Sequence, residues 1–314
     1  MVSGVEDPAF IEGRFSDFEF FNRGNFMRVL FVFAALAAAH GGASLAQSTP
    51  DRDLDRAESR IERRTEREPR AVRGLEQGPA KHWTLTLGTP FKFNSNVANA
   101  NTGEQSALYI DPSVDLAGEW DLGGAVLSVD GAADSQFFSA HSENDNSTLL
   151  WAGRLTVPSG PISVYADYTG LSIYDGFFED HAVTAHQFAG GMKGTAKLSS
   201  ATSLTIDGSL TRREVSLETV EFYRGSLSGR LKHALSEATS LIVLTRGRYA
   251  DFTGGTSSGR TDKNLLSSVT LAHTLPGGGY VDFGVSFERN WSNAAGKDYS
   301  TWDIGPSVSF ETTF

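Results

Sequence analysis

Two groups of charged residues recur at even spacing. Asp111, Asp115, Glu119 and Asp121 share one parity, and Asp130 and Asp134 continue the pattern on the next alternating segment. Downstream, Arg213, then Arg224, Arg230 and Lys232, then Arg246 and Arg248 obey the same rule, with Asp207 as an acidic exception. Residues two apart on a strand point the same way, so each group gathers charge of one sign on one face. Fixed charges of that kind select: they attract counter-ions, repel co-ions and orient dipolar solutes.

Candidates for covalent or metal chemistry are thin. His141-Ser142-Glu143, in the stretch HSENDNS, has the residue types of nucleophilic catalysis, but adjacency in a loop does not orient a base against a nucleophile. Gly255-Thr256-Ser257-Ser258-Gly259 fits G-x-S-x-G without the strand-to-helix elbow that gives the motif its meaning. His181 and His186, beside Glu179 and Asp180, make a weak metal-site pattern. P-loop and H-E-x-x-H patterns are absent. The chain has no Cys, which removes thiol catalysis, disulfides and thiolate zinc sites. Its net charge of −11 argues against a nucleic-acid partner. No catalytic residue, metal or cofactor is expected.

The elements that must position the charges are strands. From Trp83 onward apolar residues tend to fall on every second position. The last segment is clearest, with Trp302, Ile304, Pro306, Val308, Phe310 and Phe314 on one face and polar residues between them. Twelve strands are predicted, over 83–93, 107–121, 125–138, 148–157, 162–172, 184–198, 203–214, 222–234, 240–252, 265–275, 280–291 and 300–314. Short turns alternate with longer polar loops. Glycine, at 33 of 314 residues, exceeds the usual ~7% and suits a turn-rich chain. No apolar run reaches the roughly 20 residues of a membrane helix, so any membrane crossing must be made by strands.

The N-terminal region divides into three. Residues 27–46 have a basic start at Arg28, an apolar core from Val29 to Ala39, and small residues before a cut after Ala46. That is a signal peptide pattern, and the mature chain is expected to begin near Gln47. Residues 1–26 are acidic and aromatic, wrong for a signal start, and read as an upstream extension ahead of Met27. Residues 47–82 carry the charge-dense run DRDLDRAESRIERRTERE at 51–68, for which a helix is expected. On that helix Arg52, Arg56, Arg60, Arg63, Arg64 and Arg67 fall on one side and Asp51, Asp55, Glu58, Glu62 and Glu66 on the other, with Leu54, Ala57 and Ile61 between.

Strand number, strand length, loop asymmetry and the aromatic C-terminus together resemble the bacterial outer-membrane β-barrel class, over residues 83–314. The resemblance implies an all-β, 12-stranded antiparallel transmembrane barrel in the Gram-negative outer membrane, with both termini periplasmic. Outer-membrane lipid and the barrel-assembly machinery are the implied partners, the latter engaging Trp302, Phe310 and Phe314. The polar phase would then line a lumen with an acidic wall facing a basic one. A ring of twelve strands at ~4.8 Å spacing and ~40° tilt has a backbone diameter of about 24 Å, narrowed by side chains to roughly 10 Å. The expected function is a channel for small polar or charged solutes. A lipid hydrolase on the same scaffold is the rival, and a structural or translocating barrel plugged by its N-terminal helix is the third reading. Autotransporter translocators also pair a helix with twelve strands, although residues 47–80 leave little room for a passenger. A helix over 51–68 would be about 27 Å long, close to the ~25 Å apolar band of such barrels. It could serve as a solvated tether or lie in the lumen, each charged face toward the opposite wall.

Overall fold

The computed structural model describes Leu54, residues 82–216 and residues 220–314. The upstream extension, the signal peptide and all of the charged segment except Leu54 lie outside these residues.

Alternating residues build thirteen strand segments: β1 (His82–Asn94), β2 (Ala107–Ile110), β3 (Ser113–Asp121), β4 (Val126–Phe138), β5 (Asn146–Ser159), β6 (Ile162–Asp175), β7 (Asp180–Lys197), β8 (Thr202–Val215), β9 (Phe222–Ala234), β10 (Thr239–Phe252), β11 (Thr261–Thr274), β12 (Gly279–Ser292) and β13 (Tyr299–Thr313). Each crossing pairs antiparallel with the next, and β13 pairs with β1 to close the sheet. The seam is marked by a reciprocal pair of backbone bonds, Trp83 N–H to Phe314 O at 3.1 Å and Phe314 N–H to Trp83 O at 2.9 Å.

β2 and β3 both pair with β1 on one side and β4 on the other. They are two lengths of one crossing, which makes twelve in all. The break falls at Asp111-Pro112, where proline has no N–H to give the ladder. Neighbouring groups are still satisfied, with Asp111 N–H on Pro90 O at 3.3 Å and Ser135 N–H on Pro112 O at 3.1 Å.

Connections at one end, the turn end, are short: 122–125, 160–161, 198–201, 235–238 and 275–278. The other end, the loop end, carries 95–106, 139–145, 216–221, 253–260 and 293–298, together with a tight link at 176–179. That link corrects the loop expected over 173–183, because β6 and β7 run on through it. The misreading has a physical cause. Leu171, Ile173 and Val183 are apolar residues standing in the otherwise polar phase, so the alternation that marks a strand is lost there.

The outer face is apolar and uncovered. Leu210, Leu227, Met192, Phe283 and Phe310 stand among its most exposed side chains. Aromatic residues gather toward both rims. Trp83 meets Trp120 edge-on at 5.4 Å near the turn end. Farther up the wall the Trp151 indole donates to Tyr168 Oη at 3.2 Å, and Tyr168 packs on Phe188 at 5.2 Å. Gly170 lies beneath the Trp151 ring, where an added Cβ would sit 2.1 Å from the indole. His233 and His273, also on this face near the turn end, bond Thr202 and Thr239 hydroxyls across the strand at 2.9 Å each. An apolar exterior with aromatic girdles around a closed ladder meets the demand of hydrocarbon, which satisfies no backbone polar group.

Candidate functional site

The register sets out the inner face residue by residue. Asp115 stands opposite Ala132, Ser113 opposite Asp134, Ala117 opposite Asp130 and Glu119 opposite Ser128, so β3 and β4 bring their acids to one inward surface. Asp111, at the β2–β3 break, shares that parity, and Asp111 and Asp134 are buried. Asp121 stands apart: it is exposed at the turn end, where its carboxylate accepts the Gly123 N–H at 2.8 Å.

Arg230 stands opposite Leu244, Arg246 opposite Ser228, Arg248 opposite Ser226 and Lys232 opposite Ile242, so β9 and β10 share a basic inward surface. Arg213 of β8 and Arg224 of β9 complete it around Phe222, their guanidinium carbons 4.0 and 4.8 Å from the ring centroid. Arg213 is fully buried, its Nε–H donating to Val220 O at 2.9 Å. β3 and β4 lie six crossings away from β9 and β10 in the ring of twelve, so the two surfaces face each other across the lumen. Apart from Glu119 and the turn-capping Asp121, every one of these wall charges has a further interaction of its own.

The inner face holds more polar structure than the two walls. On β5 and β6, Arg154 Nε–H donates to Asp167 at 3.1 Å and its guanidinium lies 4.3 Å from the Tyr165 ring. Tyr165 reaches over β7 to donate to Asp207 of β8 at 2.7 Å. It can do so because Gly191 lies beneath it, where a Cβ would stand 2.4 Å from the phenol oxygen. Asp207, the acidic exception, thereby has a specific partner. At the loop end Asp303 accepts from Asn94 at 3.0 Å and Tyr109 at 3.1 Å, and Glu288 accepts from Asn264 and Tyr299 at 2.9 Å each. Arg260 Nε–H donates to Asp262 at 3.0 Å while its guanidinium covers Phe252 at 4.1 Å. Glu288 and Asp303 belong to the polar face expected for the last two strands. Arg154 and Asp167 share the parity of the walls but escaped the sequence reading, and Arg260 and Asp262 escaped it because they fall between the strands expected over 240–252 and 265–275.

An apolar patch interrupts this polar lining. Leu171 and Ile173 of β6, Val183 and Ala185 of β7, Val215 of β8 and Val220 in the following loop form one buried cluster, and Leu54 belongs to it. Leu171, Ile173, Val183, Ala185 and Leu54 are all 0% exposed. The cluster sits on the inner face at the loop end.

The catalytic patterns do not converge. His141 Nδ1 lies 3.4 Å from Glu143 in a left-handed turn entering the 3-10 turn Ser142–Asn144. Gly255–Ser257 is another 3-10 turn in the loop between β10 and β11, not an elbow into a helix. His181 Nε2 pairs with the Thr184 hydroxyl at 2.8 Å and His186 Nδ1 with the Tyr168 hydroxyl at 2.9 Å. Among the described residues no three His, Asp or Glu side chains cluster as a metal site would require.

Fold and lining define the class: a closed transmembrane β-barrel of the outer-membrane type, twelve strands around, with a charged lumen. Similar solved structures include the translocator domain of autotransporter NalP from Neisseria meningitidis, at 12% identity and a TM-score of 0.47, covering 86% of this chain and 99% of that one. LpxR from Salmonella typhimurium matches at 10% identity and a TM-score of 0.43, over 72% of this chain and 99% of that one. The anion-selective porin from Comamonas acidovorans matches at 9% identity and a TM-score of 0.41, over 75% and 100%. No protein-family model matches the chain, and no curated protein matches it by sequence.

Proposed function

We propose that this barrel is an outer-membrane channel for small polar or charged solutes, with the turn end in the periplasm and the loop end at the cell surface. The observation that carries the reading is the opposition of the walls. β3 and β4 present acids and β9 and β10 present bases from positions six crossings apart. Across a lumen about 24 Å in backbone diameter, opposed walls impose a transverse field that orients dipolar solutes as they pass. A hydrolase would need a base held against a nucleophile and oriented by an acid. The histidines bonded to hydroxyls, His181, His186, His233 and His273, are not the one paired with an acid, His141. Insertion is expected to depend on the barrel-assembly machinery reading Trp302, Phe310 and Phe314.

The reading is tested in planar bilayers with the refolded mature chain. Arg230→Glu and Arg246→Glu together should move the reversal potential toward cation preference, because lumen charges tune selectivity. A conducting channel with an unchanged reversal potential would remove the basic wall from the conduction path.

A further inference from the structure

We propose that the outer wall over β8–β12 holds a lipid bearing a phosphate monoester, the phosphate between Lys263 and Arg289 and an acyl chain in the groove beside them. The inference rests on the barrel's residence in a membrane and not on conduction through its lumen.

Cationic charge on the outer wall is confined to one arc. Strand parity turns Arg212 of β8, Lys263 of β11 and Arg289 of β12 outward, and among the described strands no other Lys or Arg faces that way. Each stands within three residues of the loop-end terminus of its strand. A cation on the lipid face is costly at mid-depth and far less so near the headgroups. The 14 residues of β11 stand about 35 Å tall at ~3.3 Å per residue and ~40° tilt, against an apolar band of ~25 Å. Lys263 and Arg289 are therefore rooted at the edge of that band, and their long side chains reach the headgroup layer.

Arg212 is already engaged. It lies 3.3 Å from Glu221 and 4.0 Å from Glu214, and its guanidinium covers the Tyr223 ring at 4.5 Å. Lys263 and Arg289 differ: among the described residues neither has a carboxylate within 4 Å. Asp251, the other acid on this arc, stands opposite Thr261, one step nearer the loop end than Lys263. Lys263 sits in a cross-strand row between Tyr249 and Trp291. Arg289 stands opposite Leu265 in the next row, its guanidinium 5.8 Å from the Trp291 ring. The two cations are thus diagonal neighbours, about 7–8 Å apart along the wall, close enough to share one anion. Two positive charges match the roughly −1.5 to −2 of a phosphate monoester better than the single charge of a diester.

Beside the cations the wall is hollow. Gly225 stands between Leu210 and Tyr249, and Gly247 between Leu227 and Leu265. With no side chain at either glycine, Leu210, Leu227, Tyr249 and Lys263 border a shallow groove of about 620 Å³ on the outer face. Leu210 and Leu227 are 74% and 63% exposed, so the groove is open to whatever surrounds the barrel. A paired cation at headgroup height beside an apolar groove complements a phosphate joined to an acyl chain.

Native mass spectrometry of the refolded mature chain in neutral detergent provides the test. Dioleoyl phosphatidic acid, a monoester, is titrated against dioleoyl phosphatidylglycerol, a diester with the same acyl chains. One phosphatidic acid should bind at least tenfold more tightly than phosphatidylglycerol. Lys263→Gln with Arg289→Gln should abolish that preference. Gly247→Phe should weaken phosphatidic acid at least tenfold by filling the groove, and it should still fold, because a Cβ there meets nothing within 4 Å. The unheated gel band verifies folding of each variant. Millimolar inorganic phosphate should leave the lipid bound, whereas its displacement by phosphate alone would mark an anion site and overturn the lipid assignment. Equal binding of the two lipids, or a preference that survives the double substitution in folded protein, overturns the proposal. A dimer that forms through this wall and excludes lipid overturns it as well.

Discussion

At Gly191 a missing side chain lets a neighbour cross a strand. Tyr165 lies over it and reaches Asp207, so one inward carboxylate on a mostly basic arc accepts a hydrogen bond from a phenol two strands away. Gly191→Val would force the phenol aside and cost about 1–3 kcal/mol, the range for overpacking. Tyr165→Phe, which removes only the hydroxyl, should cost about 1 kcal/mol. Urea midpoints of the refolded protein in lipid check both, and Gly191→Val should be the more damaging. Asp207 shows how far the sequence could be read at this scale. Its parity was visible from strand period alone, but its partner lies two strands away, and no local pattern encodes a reach across an intervening glycine. The same holds for Asp121, which shares the parity of the acidic wall yet caps a turn, because parity fixes the side of the sheet and not the height.

β13 shows an element whose pattern and structure agree along its length. Trp302, Ile304, Val308 and Phe310 all lie exposed on the outer face, while Asp303, Ser307 and Ser309 are buried inside. Its alternation is unbroken, so its bounds were legible to within a residue. β6 and β7 were legible only in part, because Leu171, Ile173 and Val183 put apolar groups on the inner face and erased the period there. Deleting Phe314 removes the residue that exchanges both backbone bonds with Trp83 and is expected to lower the folded fraction in cells severalfold. Semi-native gels of outer-membrane fractions, comparing heated and unheated samples, measure that fraction. Phe314→Tyr, which keeps the aromatic ring and the backbone, should restore it.

For the whole molecule, twelve crossings satisfy one another's backbone groups with no edge left open. The folded protein should therefore resist unheated detergent and migrate differently after boiling. Recovery as a soluble periplasmic protein would refute the barrel's residence in the membrane. Strand number followed from counting alternating segments, a local signal. The seat of Leu54 beside Leu171, Ile173 and Val183 did not, because one leucine in a charged run gives no hint of the surface it meets. The seam between β1 and β13 bears on how the chain reaches its native state. Thr84 and Thr313 hydroxyls meet across it at 3.4 Å although 229 residues separate them. Bringing such distant ends together from a coil costs about 5 kcal/mol in loop-closure entropy beyond the constant term, whereas hairpins between consecutive crossings form at little such cost. Zipping from hairpin to hairpin leaves that junction to the end, and until then both margins of the growing sheet are bare ladders able to pair with another molecule. Closure competes with association. Refolding yield should fall as protein concentration rises, while the stability of molecules already closed should stay constant.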